Sequence, residues 1–284
     1  MTTSAILPAN RTRQTIDLPG KFRREGRPWL IPLYHLLRLS DLAREGIDHS
    51  GSYRFADHLY RNDASGRRWL GRWLDRRLLN LAASRAMRSR YLRAREEMAR
   101  AFRAHLASGD AGPFRILTVP CGVPRDFREF VEELTASDPA LAGRVEYEGL
   151  DLDPAVVREA AEFLAASGVA AARIREGDAL APTGFGAGRY HFIASTGLGE
   201  FLDDTALGRF YANVCAALAP GGTFFTSATA CDPKSDALLR TFELRSHYRA
   251  RADLERLLAA QPWTNVDFDG HPTGLQTFVR AIKG

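Results

Sequence analysis

Hydrophobic positions follow two regimes along the chain. From Pro28 to Leu106 they recur at three- and four-residue intervals, the spacing of amphipathic helices. From Phe114 onward, short apolar runs alternate with longer helical patterns, as in βαβ units around a mainly parallel sheet. The apolar runs predict strands near 115–119, 145–150, 172–175, 190–195, 222–227, 264–269 and 275–282. The helical patterns between them fall near 125–136, 154–167, 204–218 and 250–260. The last two strands are separated only by Gly270 to Gly274, a hairpin distance, so the sheet should finish with an antiparallel pair. The expected class is therefore α/β: a doubly wound, mainly parallel seven-stranded sheet with an antiparallel last strand, preceded by an all-helical segment.

Within that helical segment, Pro32 can open a helix that runs to Glu45 and is ended by Gly46. A short helix follows over Tyr53 to Asn62. Two more fill Arg67 to Leu106, separated near Ser84. Trp69 and Trp73 are placed in the core rather than on a base-stacking platform. Residues 1–27 are polar, broken by Pro8, Pro19, Gly20 and Gly26, and read as weakly ordered. Ser108 to Pro113 is a linker by composition. The partition is thus a weakly ordered terminus at 1–27, a helical lid, substrate or dimerisation segment at 28–110, and a cofactor domain at 111–284.

Charge sharpens this division. Residues 1–110 carry 22 Lys+Arg against 11 Asp+Glu, whereas 111–284 carry 17 against 23, beneath a net charge of +5. A basic half can hold an anionic partner such as RNA. Here the arginines of 67–103 interleave with an apolar stripe that demands burial, which favours a solvated helical face over a nucleic-acid surface. Three cysteines without metal spacing suit a reducing compartment and argue against structural zinc. There is no run of 18 apolar residues and no apolar core near the start. A cytoplasmic chain without a transmembrane segment is expected.

The candidate chemistry lies at the ends of the predicted strands. Strand one runs into Val119-Pro-Cys-Gly-Val-Pro124, where Pro120, Cys121 and Gly122 can approach a ligand. Strand two ends in Gly149-Leu-Asp151-Leu152-Asp-Pro154. Asp151 can accept from both hydroxyls of a ribose, and Asp153 and Pro154 start the next helix. Strand three leads to Glu176-Gly-Asp178-Ala179, where a carboxylate and a backbone N–H can meet an adenine ring. Strand four ends in Ser195-Thr196-Gly197, small residues that leave room for a ligand. Leu218-Ala-Pro-Gly-Gly222 reads as a helix end and turn before strand five.

Taken together and in order, these segments resemble class I S-adenosylmethionine (SAM) dependent methyltransferases over about residues 114–284. The resemblance rests chiefly on Gly-Leu-Asp151-Leu-Asp-Pro, Glu-Gly-Asp178-Ala and Leu-Ala-Pro-Gly-Gly222. It implies SAM as cofactor, with Asp151 on the ribose and Asp178 at the adenine. The first loop departs from the family's acid and Gly-x-Gly-x-Gly: Thr118 stands for the acid, and Pro120 and Pro124 for the outer glycines. By the same resemblance His247 and Tyr248, after strand five, face the acceptor and are candidate catalytic groups. His191 begins strand four, away from its functional end, and His271 lies in the terminal hairpin. Tyr53, Tyr60, Arg61 and Glu200 are candidates for the lid or substrate site, and no metal is expected. The expected activity is methyl transfer to a small-molecule or lipid-like acceptor, with a homodimer through the N-terminal helices as one arrangement. The alternatives are an RNA methyltransferase using the basic half and a non-catalytic protein of the same fold.

Overall fold

Seven strands form one sheet in the order β3-β2-β1-β4-β5-β7-β6. They are β1 (Phe114–Thr118), β2 (Val145–Asp151), β3 (Ala172–Glu176), β4 (Tyr190–Thr196), β5 (Leu218–Thr229), β6 (Trp263–Gly270) and β7 (Gln276–Lys283). β1 pairs parallel with both β2 and β4, and β7 runs antiparallel between β5 and β6. The strand order reverses at β1, which leaves a crevice at the carboxyl ends of β1 and β4, the place where such sheets take ligands. The computed structural model describes residues 17–49, 52–169, 171–181, 184–185, 188–233, 236, 240 and 246–284.

Eleven helices are found among the described residues: α1 (Leu18–Arg24), α2 (Leu30–Leu37), α3 (Asp41–Asp48), α4 (Tyr53–Arg61), α5 (Arg68–Leu79), α6 (Ala82–Ala107), α7 (Arg125–Ser137), α8 (Pro139–Ala142), α9 (Pro154–Ala165), α10 (Asp204–Ala217) and α11 (Arg251–Leu258). The central strands are buried on both faces, as a parallel sheet requires. On one face Ala94, Met98 and Phe102 of α6 join Phe127 and Phe130 of α7 and Leu164 of α9 against Ile116, Tyr147 and Phe192. On the other, Phe210, Tyr211 and Val214 of α10 and Leu254 and Leu258 of α11 cover Leu117, Ile193 and Phe224.

The chain divides into two compact units. One comprises residues 89–230 and 247–284; the described residues of the other run from 17 to 88, with a few between 231 and 246. The division falls inside the continuous helix α6, whereas composition placed a boundary at 108–113.

The helical unit departs from its sequence expectations in four places. The single helix expected over 32–45 is two, because Ser40 caps α3 by accepting from the Ala43 N–H at 2.9 Å. Its hydroxyl donates to the buried Asp75, which also accepts from the Gly66 N–H at 2.6 Å. The break between α5 and α6 lies at Asn80–Leu81, and Ser84 is inside α6. Leu18 and Phe22 of α1 are buried with Ile47, so residues 18–24 are an ordered helix. Trp69 and Trp73 are 72% and 45% exposed, because the buried stripe of α5 is Gly71, Leu74, Asp75 and Leu79. In the other unit, Leu218 to Gly222 belongs to β5 itself. Gly221, at φ +73, lets the strand bend where its register against β4 shifts.

Candidate active site

The crevice is built by the tips of four neighbouring strands. β1 stops at Thr118, where the Val119 N–H still donates to Ala194 O at 2.9 Å. The chain then turns through Pro120 to Pro124 into α7. The Cys121 N–H donates to Leu150 O at 2.9 Å, tying the loop to β2. The Cys121 side chain packs against Gly149, where an added Cβ would lie 3.0 Å from its own Cβ. Cys121 therefore fills the floor of the loop, and burial pushes its thiol far up. Gly122 adopts φ +49, a conformation glycine takes at low cost.

Asp151 ends β2 and is buried. Its Oδ2 accepts from the Gly122 N–H at 3.3 Å and its Oδ1 from the Asp153 N–H at 3.2 Å. A carboxylate has about four acceptor sites, so these backbone contacts leave capacity for a further donor. Burial raises the Asp151 pKa, and the backbone donors of Asp153, Gly122 and Leu152 oppose the rise. Beside it Leu152 is 56% exposed, an apolar side chain at the strand tip. One residue after β3, the Gly177 N–H donates to Asp151 O at 2.9 Å, which draws the next loop alongside. There Asp178 is exposed and turns Oδ1 to the Leu180 N–H at 2.8 Å. Ala179 O accepts from Asn213 Nδ2 at 3.1 Å, so α10 fixes this loop.

β4 ends in Ser195 and Thr196. Ser195 is fully buried, and its carbonyl accepts from the Thr226 hydroxyl at 2.7 Å. Gly197 follows at φ +99 and opens the short 3-10 turn Leu198–Glu200. Glu200 Oε1 accepts from Arg90 Nη1 at 3.1 Å and from the Thr229 hydroxyl at 2.6 Å. Gln276 Nε2 in turn donates to Thr229 Oγ1 at 2.7 Å. The His247 N–H donates to Glu200 O at 2.8 Å, so His247 and Tyr248 lie beside the tip of β4.

The sequence candidates thus separate into groups. Pro120, Cys121, Gly122, Asp151, Leu152, Asp178, Ala179, Ser195, Thr196, Gly197, Glu200, His247 and Tyr248 all occur at carboxyl strand ends or in the segments tied to them. Tyr53, Tyr60 and Arg61 belong to the helical unit: Arg61 pairs with Asp57 at 3.1 Å, and Tyr60 packs on the cluster of Leu42, Leu59 and Leu79. His191 lies at the amino end of β4, where its Nδ1 accepts from the Arg115 N–H at 3.0 Å. His271 is engaged with Thr273 in the terminal hairpin.

Arg90, Thr229 and Gln276 escaped the sequence reading. Arg90 stands four and eight residues before Ala94 and Met98, on the buried stripe of α6. An arginine on an apolar stripe was the available signal.

A family model described as "Putative methyltransferase" matches residues 39–260. A solved structure from Bordetella parapertussis, described as a possible exported protein, is similar with a TM-score of 0.71 at 22% identity, over 89% of this chain and 86% of that one. The methyltransferase SibL, SAM-dependent and solved in its apo form, is similar at TM-score 0.54 and 16% identity, over 93% of this chain and 76% of that one. Magnesium protoporphyrin IX methyltransferase from Synechocystis PCC 6803, solved with bound S-adenosylhomocysteine (SAH), gives 0.50 at 11% identity, over 72% and 88%. No curated protein matches. Among the described residues no helix is long and apolar enough to cross a membrane. The chain belongs to this methyltransferase family, and its sheet is that of the SAM-dependent class I fold.

Proposed function

We propose that the protein transfers the methyl group of SAM to a small-molecule or lipid-like acceptor. The observation that carries this reading is Asp151. It is a buried carboxylate at the tip of β2, beside the crevice where the strand order reverses, held by backbone N–H groups with acceptor capacity to spare. The residues present fit the cofactor. Asp151 offers acceptors to the ribose, Leu152 an apolar surface to the adenine, and the loop of Asp178 and Ala179 the polar edge the base requires. Gly122 and Gly197 bring no side chain of their own to the strand tips, and at Gly197 the guanidinium of Arg90 lies alongside.

SAM supplies an electrophilic methyl group on a sulfonium. The task of this chain is then to hold donor and acceptor in line, and such positioning can be worth about 7–11 kcal/mol. His247, whose N–H is tethered to Glu200 O, and its neighbour Tyr248 are the groups we assign to the acceptor side, where either can hold or remove an acceptor proton. Tyr53, Tyr60 and Arg61 are assigned to acceptor selection.

Calorimetric titration with SAH tests the cofactor assignment. Two charge-assisted bonds to ribose, at about 1.5–3 kcal/mol each, make a loss of at least about a hundredfold the expected result for Asp151→Ala, with the variant still folded. Unchanged affinity would overturn the assignment of Asp151.

A further inference from the structure

We infer that Arg90 is the anchor for the α-carboxylate of the methyl donor's amino-acid end. This inference rests on the function proposed above. With the ribose at Asp151 and the base at Asp178, the nucleoside occupies the tips of β2 and β3. The amino-acid end must then extend the other way, over the tips of β1 and β4. A carboxylate removed from water there needs donors.

The first loop is poorly able to provide them. Pro120 and Pro124 have no N–H. The N–H groups of Val119, Cys121 and Gly122 are spent on Ala194 O, Leu150 O and Asp151 Oδ2. The two prolines therefore remove backbone donors, leaving Val123 as the loop's other N–H, and a side chain is needed beside it.

Arg90 is placed to do so. It is 5% exposed, and its guanidinium lies against Gly197 at the tip of β4. A Cβ added to Gly197 would stand 3.1 Å from Nη1 and 3.2 Å from Nη2. The position is built rather than incidental: Gln276 fixes Thr229, Thr229 fixes Glu200, and Glu200 holds Arg90 Nη1. Glu200 balances the buried charge in the absence of ligand, and the planar fork of an arginine suits a carboxylate. Arg249, equally buried, has a different role. Its guanidinium donates to Gly199 O, Leu202 O and Asp204, and it locks the segment after β4.

The test compares SAH with 5′-methylthioadenosine, which keeps the adenosine and thioether but lacks the amino-acid end. Both are titrated calorimetrically into wild type, Arg90→Met and Arg90→Lys. We expect Arg90→Met to weaken SAH by at least about tenfold and leave methylthioadenosine within about twofold, as loss of one charge-assisted contact implies. Arg90→Lys should fall between, because it keeps the charge without the fork. Unchanged SAH affinity would overturn the inference. So would equal weakening of both ligands, which would mean that Arg90 only supports the crevice. If wild type bound neither ligand, the proposed function itself would fall, and this inference with it. Wild-type binding with an unresponsive Arg90→Met variant would remove the inference alone.

Discussion

Arg90 of α6 and Glu200 after β4 meet at 3.1 Å although 110 residues separate them in sequence. Their side chains are only 6% and 13% exposed, so this is an enclosed ion pair rather than a surface one. Breaking such a pair leaves an uncompensated buried charge. Glu200→Ala should therefore cost about 3–5 kcal/mol of unfolding free energy. The double variant Arg90→Met/Glu200→Ala should be less destabilised than the sum of the two single variants. Urea unfolding of the four proteins measures the coupling, and simple additivity would contradict it.

Gly197 tests the same geometry from the backbone side. Its φ of +99 is costly for any L side chain, and the guanidinium of Arg90 fills the space where a Cβ would go. Gly197→Ala should lower stability by more than about 1 kcal/mol and weaken SAH binding. A neutral effect on both would show that the strand tip is not as close to Arg90 as described.

At the opposite end of the sheet, His105, Asp110 and His191 bring their ligand atoms within 4.8 Å of one another. The hydrogen bonds argue against a metal there. His191 Nδ1 accepts from the Arg115 N–H at 3.0 Å, so Nε2 carries the proton of the neutral ring. His105 Nε2 faces Gly112 O at 3.1 Å, the contact of a donor. Coordination through His191 Nε2 would set two N–H groups against each other at Nδ1. Added Zn2+ should leave the melting temperature unchanged; a saturable rise would contradict this tautomer assignment.

The same pair predicts a pH dependence. The His191 pKa is lowered by burial and next by the neighbouring His105, against the pull of Asp110; Arg115 lowers it further. The unfolded chain therefore binds the proton more readily than the native one. The stability linked to His191 is complete above the unfolded value of about 6.5 and is lost as pH falls toward the native pKa. His191→Asn keeps an acceptor for the Arg115 N–H without the titration. The stability difference between wild type and variant should thus shrink between pH 7.5 and 5.5 in chemical denaturation; a constant difference would refute it.

Asp126, in the first turn of α7, predicts the opposite slope. Burial pushes its carboxyl up to about 6, against the bond from the Phe127 N–H at 2.9 Å. The folded state therefore holds this proton more tightly, and the linked stability falls as pH rises from about 4 to about 6. Asp126→Asn should stabilise the protein by on the order of 2 kcal/mol at pH 7.5 and have little effect at pH 4. Equal stability of the two proteins at pH 7.5 would place the Asp126 carboxyl in water.

What the sequence revealed follows from where each signal is stored. The strands of the sheet emerged within a few residues because runs such as Arg115 to Val119 and Tyr190 to Ser195 are apolar and bounded by turn residues. The helical unit was harder. The break between α2 and α3 depends on Ser40 reaching Asp75, a contact across 35 residues that no local window contains. Asp151 and Asp178 could be placed at the ends of β2 and β3 because a strand tip is a position in sequence as well as in space. Arg90, Thr229 and Gln276 were not, because their partners come from a helix and three different strand ends. The prolines of the first loop were visible as a departure from a family pattern. Their consequence, the loss of backbone donors, needed the hydrogen bonds of Val119, Cys121 and Gly122.

The proposed function requires the crevice at β1 and β4 to hold a SAM-type cofactor. It is tested most directly by thermal unfolding of the wild-type chain across a SAH titration, with the heat of binding measured in parallel. A ligand at a hundred times its dissociation constant adds about 2.7 kcal/mol, which for a chain of this size raises the melting temperature by about 5–10 °C. A saturable rise of that order with one site per chain is expected. No shift up to millimolar SAH, together with no heat of binding, would contradict it.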